Sequence, residues 1–101
     1  MLIGKVVGTV VATRKDEKLN NLRFMVVQQV SVRGQEAGGY VVAVDAVGAG
    51  VGEYVLFATG SSARQTVLTD KRPCDAVIMA IVDTWEVEGE VLYRKDELEP
   101  A

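Results

Sequence analysis

Three observations predict an all-β fold, a small closed β-barrel with one short helix, for this 101-residue chain. Runs rich in valine, isoleucine and threonine recur along it, short polar or glycine-bearing stretches separate them, and several runs are apolar on both faces. Five or so short strands closed on themselves leave few of the exposed edges that an open sheet must protect.

The first run, "LIGKVVGTVVAT" (residues 2–13), has apolar pairs spaced near four, as an amphipathic helix would. Its valines, isoleucine and threonines favour a strand, and Gly4 and Gly8 would each cost a helix about 1 kcal/mol relative to alanine. Read with period two, Leu2, Gly4, Val6, Gly8, Val10 and Ala12 form a narrow apolar face expected to line the barrel core. The opposite face, Ile3, Lys5, Val7, Thr9 and Val11, is half apolar, more than a solvated sheet face normally shows, and therefore expects cover.

"LRFMVVQQVSV" repeats this two-sidedness, with Leu22, Phe24, Val26, Val30 and Val32 on one face and Met25 and Val27 on the other. "YVVAVDAV" (40–47), "EYVLFA" (53–58) and "DAVIMAIVD" (75–83) read as further strands, and "WEVEGEVLYR" as a closing hairpin about Glu88 and Gly89. "RKDEKLNN" and "RGQEAGG" read as exposed loops, the second a hairpin connection. The helix falls at 62–67, where Ser62 and Gln65 have capping-box spacing and Pro73 blocks continuation.

With 49% hydrophobic and 25% charged residues and two prolines, the chain has the composition of one folded domain, assigned to residues 1–95, followed by a tail at 96–101. A net charge of −3 disfavours nucleic acid and anionic membranes as partners. No apolar run approaches the roughly 20 residues that span a bilayer as a helix. The single cysteine, Cys74, has no internal disulfide partner and fits a cytoplasmic location.

Candidate chemistry is sparse. "VGAGVGEYV" follows a strand as a phosphate loop would, but the next segment reads as another strand rather than the helix a dinucleotide site requires, and no Lys-Ser/Thr pair is present. Cys74 lacks a base in a chain without histidine, so it reads as packing. Glu86, Glu88 and Glu90 share a strand parity but straddle a turn, where solvation keeps their pKa values alike. The six aromatic residues, Phe24, Tyr40, Tyr54, Phe57, Trp85 and Tyr93, are scattered singly rather than laid out as a stacking platform among basic residues. No metal or cofactor is called for. In "GSSARQT", a turn glycine and two hydroxyls suit a helix start, and several copies about an axis would make a ring of hydroxyls and amides around a narrow opening.

Four stretches in order, "GKVVGTVVAT", "DAVGAGVGEYVL", "GSSARQT" and "KRPCDAVIMAIVD", resemble the pentameric vertex proteins of bacterial microcompartment shells over residues 1–95. The resemblance implies an OB-like barrel assembling as a cyclic pentamer, a structural protein without enzymatic activity that closes the fivefold corners of a shell of hexameric and pseudohexameric tiles. A ring of heterologous contacts would cover the second strand face and with it Val7. By position, Gly60, Ser61 and Ser62 are expected at the pore rim, with Ala63 and Arg64 behind. Asp45, Gly48, Gly50 and Gly52 match the family's glycine loop, and Arg72, Pro73 and Asp75 its "RPxDA" motif; both are expected to set barrel geometry and subunit contacts. Cys74 holds the variable position of that motif. The rival reading from a different class is a free-standing barrel that binds a small ligand or nucleic acid.

Overall fold

In the computed structural model, which describes residues 1–66, 68–69 and 75–97, seven strands and three short 3-10 turns follow one another. The strands are β1 (Leu2–Val10), β2 (Phe24–Val30), β3 (Glu36–Asp45), β4 (Tyr54–Thr59), β5 (Ala76–Ile81), β6 (Thr84–Val87) and β7 (Glu90–Arg94). The 3-10 turns are η1 (Glu17–Leu19), η2 (Gly60–Arg64) and η3 (Lys95–Glu97).

The first five strands close into a barrel in the order β1-β2-β3-β5-β4, all neighbours antiparallel except β3 and β5, while β6 and β7 form a separate hairpin. This five-stranded closed barrel is OB-like. Its interior holds Val6, Met25, Val27, Ala43, Val55, Phe57, Ala76 and Ile78. Gly4 is required there by close approach, because a Cβ on it would lie 2.4 Å from Val27 Cγ1 and 2.8 Å from Phe57 Cε1.

A β-bulge alters the expected facing of β1. Val6 pairs with Val27 but Gly8 with Val26, so Val7 is an extra residue and the strand's parity reverses beyond it. Val6 therefore points into the barrel, whereas Gly8 and Val10, expected on the core face, share the outer side with Val26 and Phe24. The strand stops at Val10, short of Thr13, and Ala12 is exposed rather than core.

The connection at residues 33–39 is shorter than expected. Glu36 already pairs with Val30 and Tyr40 with Gln28, so Glu36 to Gly39 belong to an irregular start of β3 and only residues 31–35 turn. The hairpin at the end of the chain turns as expected, with Glu88 at φ 53° and Gly89 at φ 80°, the two left-handed residues of a tight type I′ connection.

Part of the barrel's outer surface is covered by the chain itself. Leu22, Val44, Ala58, Ala63 and Val77 form a second cluster, with Leu19, Phe24, Leu68 and Met79 packed against it. Because Val44 pairs with Phe24 on the outer side of β2, this cluster is a small outer core under the segments that carry η1 and η2. Nor are the aromatics scattered: Tyr54, Trp85 and Tyr93 meet with ring centroids 4.6 to 5.5 Å apart, fastening the hairpin to β4.

Candidate functional site

The short helix expected at 62–67 is present as the 3-10 helix η2, which starts two residues earlier at Gly60 and ends at Arg64; Val67 lies outside the described residues. Its ends are fixed by specific bonds. Gly60 N–H donates to the Asp75 carbonyl at 2.8 Å, which joins the start of η2 to the residue before β5. The buried Thr69 hydroxyl donates to the Ala63 carbonyl at 2.6 Å. Having spent its hydrogen there, it accepts from the Thr66 hydroxyl at 2.5 Å, and the Thr69 N–H returns to Thr66 Oγ1 at 3.0 Å. These threonine bonds compete with helix hydrogen bonding and shorten the turn.

Ala63 is fully buried against the outer cluster, whereas Ser61 and Asp75 are exposed. The turn is thus held by one buried methyl group, one backbone bond and one bond from the Thr69 side chain, while Gly60 and Ser61 are exposed. Arg72, Pro73 and Cys74 lie outside the described residues.

The glycine segment between β3 and β4 is organised from both ends. Asp45 is buried, and its Oδ1 accepts the N–H groups of Val47 and Gly48, each at 3.0 Å. Its other oxygen, also shielded from solvent, faces the Arg23 guanidinium at 3.3 Å as an ion-pair contact outside hydrogen-bonding geometry. At the far end Glu53 Oε1 accepts Gly50 N–H at 2.6 Å, and Glu53 Oε2 pairs with Lys95. Lys95 and the Gly50 N–H hold the Glu53 carboxyl below its ordinary value of 4.5.

Gly48 and Gly52, at φ 80° and 95°, supply the left-handed residues this path needs. Gly52 N–H donates to the Val6 carbonyl at 2.8 Å, and Val6 N–H donates to the Glu53 carbonyl at 2.9 Å. Ala49 is thereby tucked into the barrel core, while Val47 and Val51 remain exposed. No phosphate cradle results, since β4 and not a helix follows the glycines.

Val7 belongs to a different neighbourhood, five residues along β1 from Leu2, the partner of Phe57. The bulge presents it outward at 43% exposure, and Val10 (37%), Val11 (91%), Tyr40 (69%) and Val42 (51%) are also exposed. Gly8, Val26 and Val42 pair in sequence across three strands, so Val10, Tyr40 and Val42 share an apolar outer face of β1, β2 and β3, with Val7 at the bulge and Val11 just past the end of β1. Tyr40 and Val42 were legible as strand residues, but their exposure was not, because it depends on η1 and η2 covering Val44 and stopping there. A groove of about 370 Å³ lined by Thr9, Val10, Val11, Lys15, Leu22 and Phe24 continues the same face.

Among the described residues no group of three or more Cys, Asp or Glu side chains is placed to hold a metal ion, and no helix is long and apolar enough to cross a membrane. Arg33 pairs with Glu88 at 3.3 Å and Glu90 at 3.6 Å, so those carboxylates brace the hairpin.

Comparison with known proteins agrees with this geometry. The family model described as "Ethanolamine utilisation protein EutN/carboxysome" matches residues 1–83. The carboxysome shell vertex protein CcmL of Synechococcus elongatus is 47% identical over 97 residues, 96% of this chain and 98% of its own length. The solved CcmL of Gloeobacter violaceus superposes with a TM-score of 0.90 at 45% identity, covering 95% of this chain and 99% of that one. The GrpN pentameric microcompartment shell protein of Rhodospirillum rubrum superposes with a TM-score of 0.78 at 44% identity, covering 86% and 99%. The outer face, the glycine loop and the η2 turn are therefore features of a chain that belongs to the EutN/CcmL family, which includes the shell vertex proteins of carboxysomes and other bacterial microcompartments.

Proposed function

We propose that five copies of this chain form a cyclic pentamer that caps the fivefold vertices of a bacterial microcompartment shell in the cytoplasm, as a structural protein rather than an enzyme. The observation that carries the reading is the exposed apolar face of Val7, Val10, Val11, Tyr40 and Val42 on a barrel that is otherwise complete. A closed barrel has no further strand to recruit, so such a face is stabilised by contact with another molecule. Shell vertex relatives at 45–47% identity, and a relative described as pentameric, support further copies of this chain as that molecule.

A ring uses two different patches per subunit, which suits a face confined to one side of the barrel. In the ring, Gly60, Ser61 and Ser62 line a central opening, with Ala63 and Arg64 behind them and Asp75 at the base of the turn. The anchoring of η2 at Ala63, Thr69 and Asp75 supports this placement, because a rim needs a backbone held from behind with its first residues free to face the axis. Asp45, Gly48, Gly50 and Gly52 shape the loop that presents Val47 and Val51 near the contacts. Hexameric and pseudohexameric shell proteins are the outer partners, and no nucleic acid, membrane, metal or cofactor takes part. Against the free-standing binding module, three of the six aromatic residues pack on one another under the hairpin and leave no row of rings on a barrel face.

Native mass spectrometry tests the assembly. The expected species has five times the 10.9 kDa chain mass, about 54.5 kDa. Val7→Asp is expected to shift it to monomer while circular dichroism keeps the barrel signature, since Val7 makes no strand pair. A wild-type monomer would overturn the vertex reading, and a Val7→Asp ring as stable as wild type would remove Val7 from the interface.

A further inference from the structure

Two charged residues meet across 42 positions of sequence, where Lys95 leaves β7 and Glu53 ends the glycine loop. The carboxylate is used on both sides: Oε1 takes the Gly50 N–H and Oε2 takes the Lys95 ammonium. Lys95 is presented from a fixed base. Its own N–H donates to the Asp83 carbonyl at 2.9 Å, Val82 N–H donates to the Tyr54 carbonyl at 2.8 Å, and the rings of Tyr54, Trp85 and Tyr93 hold the hairpin from which it projects.

An isolated surface ion pair contributes little. This one differs because the same carboxylate also satisfies a loop amide, so its position controls backbone geometry at Gly50. On either side of Gly50 stand Ala49, buried in the barrel, and Val51, exposed. A small rotation of the loop therefore exchanges buried for exposed surface.

We infer that Glu53 and Lys95 form a clip through which the C-terminal hairpin holds the glycine loop in the shape that presents Val47 and Val51 to a second copy of the chain. Both are positioning residues for assembly, and the assembly half of the inference rests on the ring reading above. Each partner favours the charged form of the other: Glu53 is held below 4.5 and Lys95 above 10.5, with Asp83 and Tyr93 the other titratable groups acting on Lys95. The clip is therefore closed throughout the neutral range.

The test is hydrogen–deuterium exchange by mass spectrometry on the whole chain, read in the peptide covering residues 46–53, beside native mass spectrometry. Lys95→Met is expected to raise exchange in that peptide by about tenfold, the scale of a lost charge-assisted hydrogen bond, with β2 protection unchanged. Lys95→Arg should restore protection, and Lys95→Met should add nothing in a Glu53→Gln background. Unchanged exchange at 46–53 in Lys95→Met would overturn the clip, and so would an equal rise in β2, which would mean general destabilisation. Increased loop exchange with no change in the concentration at which the ring dissociates would overturn the assembly role. A wild-type chain that forms no ring would defeat the vertex reading alone, since the exchange experiment still reads the clip.

Discussion

The barrel and the C-terminal hairpin are both built of antiparallel strands, yet different forces hold them. Each barrel strand is paired on both sides, and the interior is apolar down to Gly4, where there is no room for a methyl group. The two-stranded hairpin has no interior of its own and is attached by three aromatic rings, the Trp85 Nε1–H bond to the Val32 carbonyl at 3.0 Å, and ion pairs to Arg33 and Glu53. Closure makes the first region stable by burial. The second is stable only as far as its side chains grip the first, since an isolated hairpin is marginal in water.

Substitutions should separate the two regions. The largest effect is expected for Phe57→Ala, which empties the centre of the barrel and should lower stability by about 3–5 kcal/mol in denaturant unfolding, with every probe reporting the loss together. Trp85→Ala should cost about 2 kcal/mol, less than a fully buried tryptophan because the residue is only partly buried, and should raise exchange in β6 and β7 while β2 and β5 stay protected. Loss of protection across the barrel in that variant would mean that the hairpin is part of the barrel's folding unit.

A weaker effect is expected from pH, and its sign follows from the hairpin contacts. The contribution of Glu53 is complete above 4.5 and disappears as pH falls through its lowered folded value. That of Lys95 is complete below 10.5 and disappears as pH rises through its raised value. Burial holds the Tyr93 hydroxyl above its ordinary 10.0, so its neutral form also favours folding and stability declines above that pH. Melting temperature measured from pH 3 to 11 should therefore show a plateau with both shoulders, and Lys95→Met should flatten the acid one. The smallest effect belongs to Arg33→Ala, whose partners Glu88 and Glu90 are largely exposed. A change of about 0–1 kcal/mol, reduced further by salt, is expected.

The strands were legible because valine-rich runs with turn residues between them are a local signal, and five of them in a chain this short leave closure as the economical arrangement. The hairpin turn at Glu88 and Gly89 was legible for the same reason. Facing along β1 was legible as far as Val6 but not beyond it, because the bulge at Val7 is a property of the pairing with β2 and leaves no mark in the alternation of β1 itself. The short helix was legible but its bounds were not: it ends at Arg64, before Thr66 and Thr69, which look like ordinary loop residues until Ala63 is brought within reach of the Thr69 hydroxyl. The glycine loop was recognisable as a motif and as unsuited to phosphate. The residues that fix it, Asp45 with Arg23 and Glu53 with Lys95, join positions 22 and 42 apart, and no spacing rule connects such pairs.

The sequence by itself determined the all-β class, the strand set, the acidic and histidine-free character, and the motif order that marks the family, because these depend on local propensity and composition. Tertiary structure alone decided which valines are core and which lie outside, which aromatics gather, and how the hairpin clips the loop. Those outcomes depend on register and closure, where one extra residue in one strand turns every later side chain to the other face.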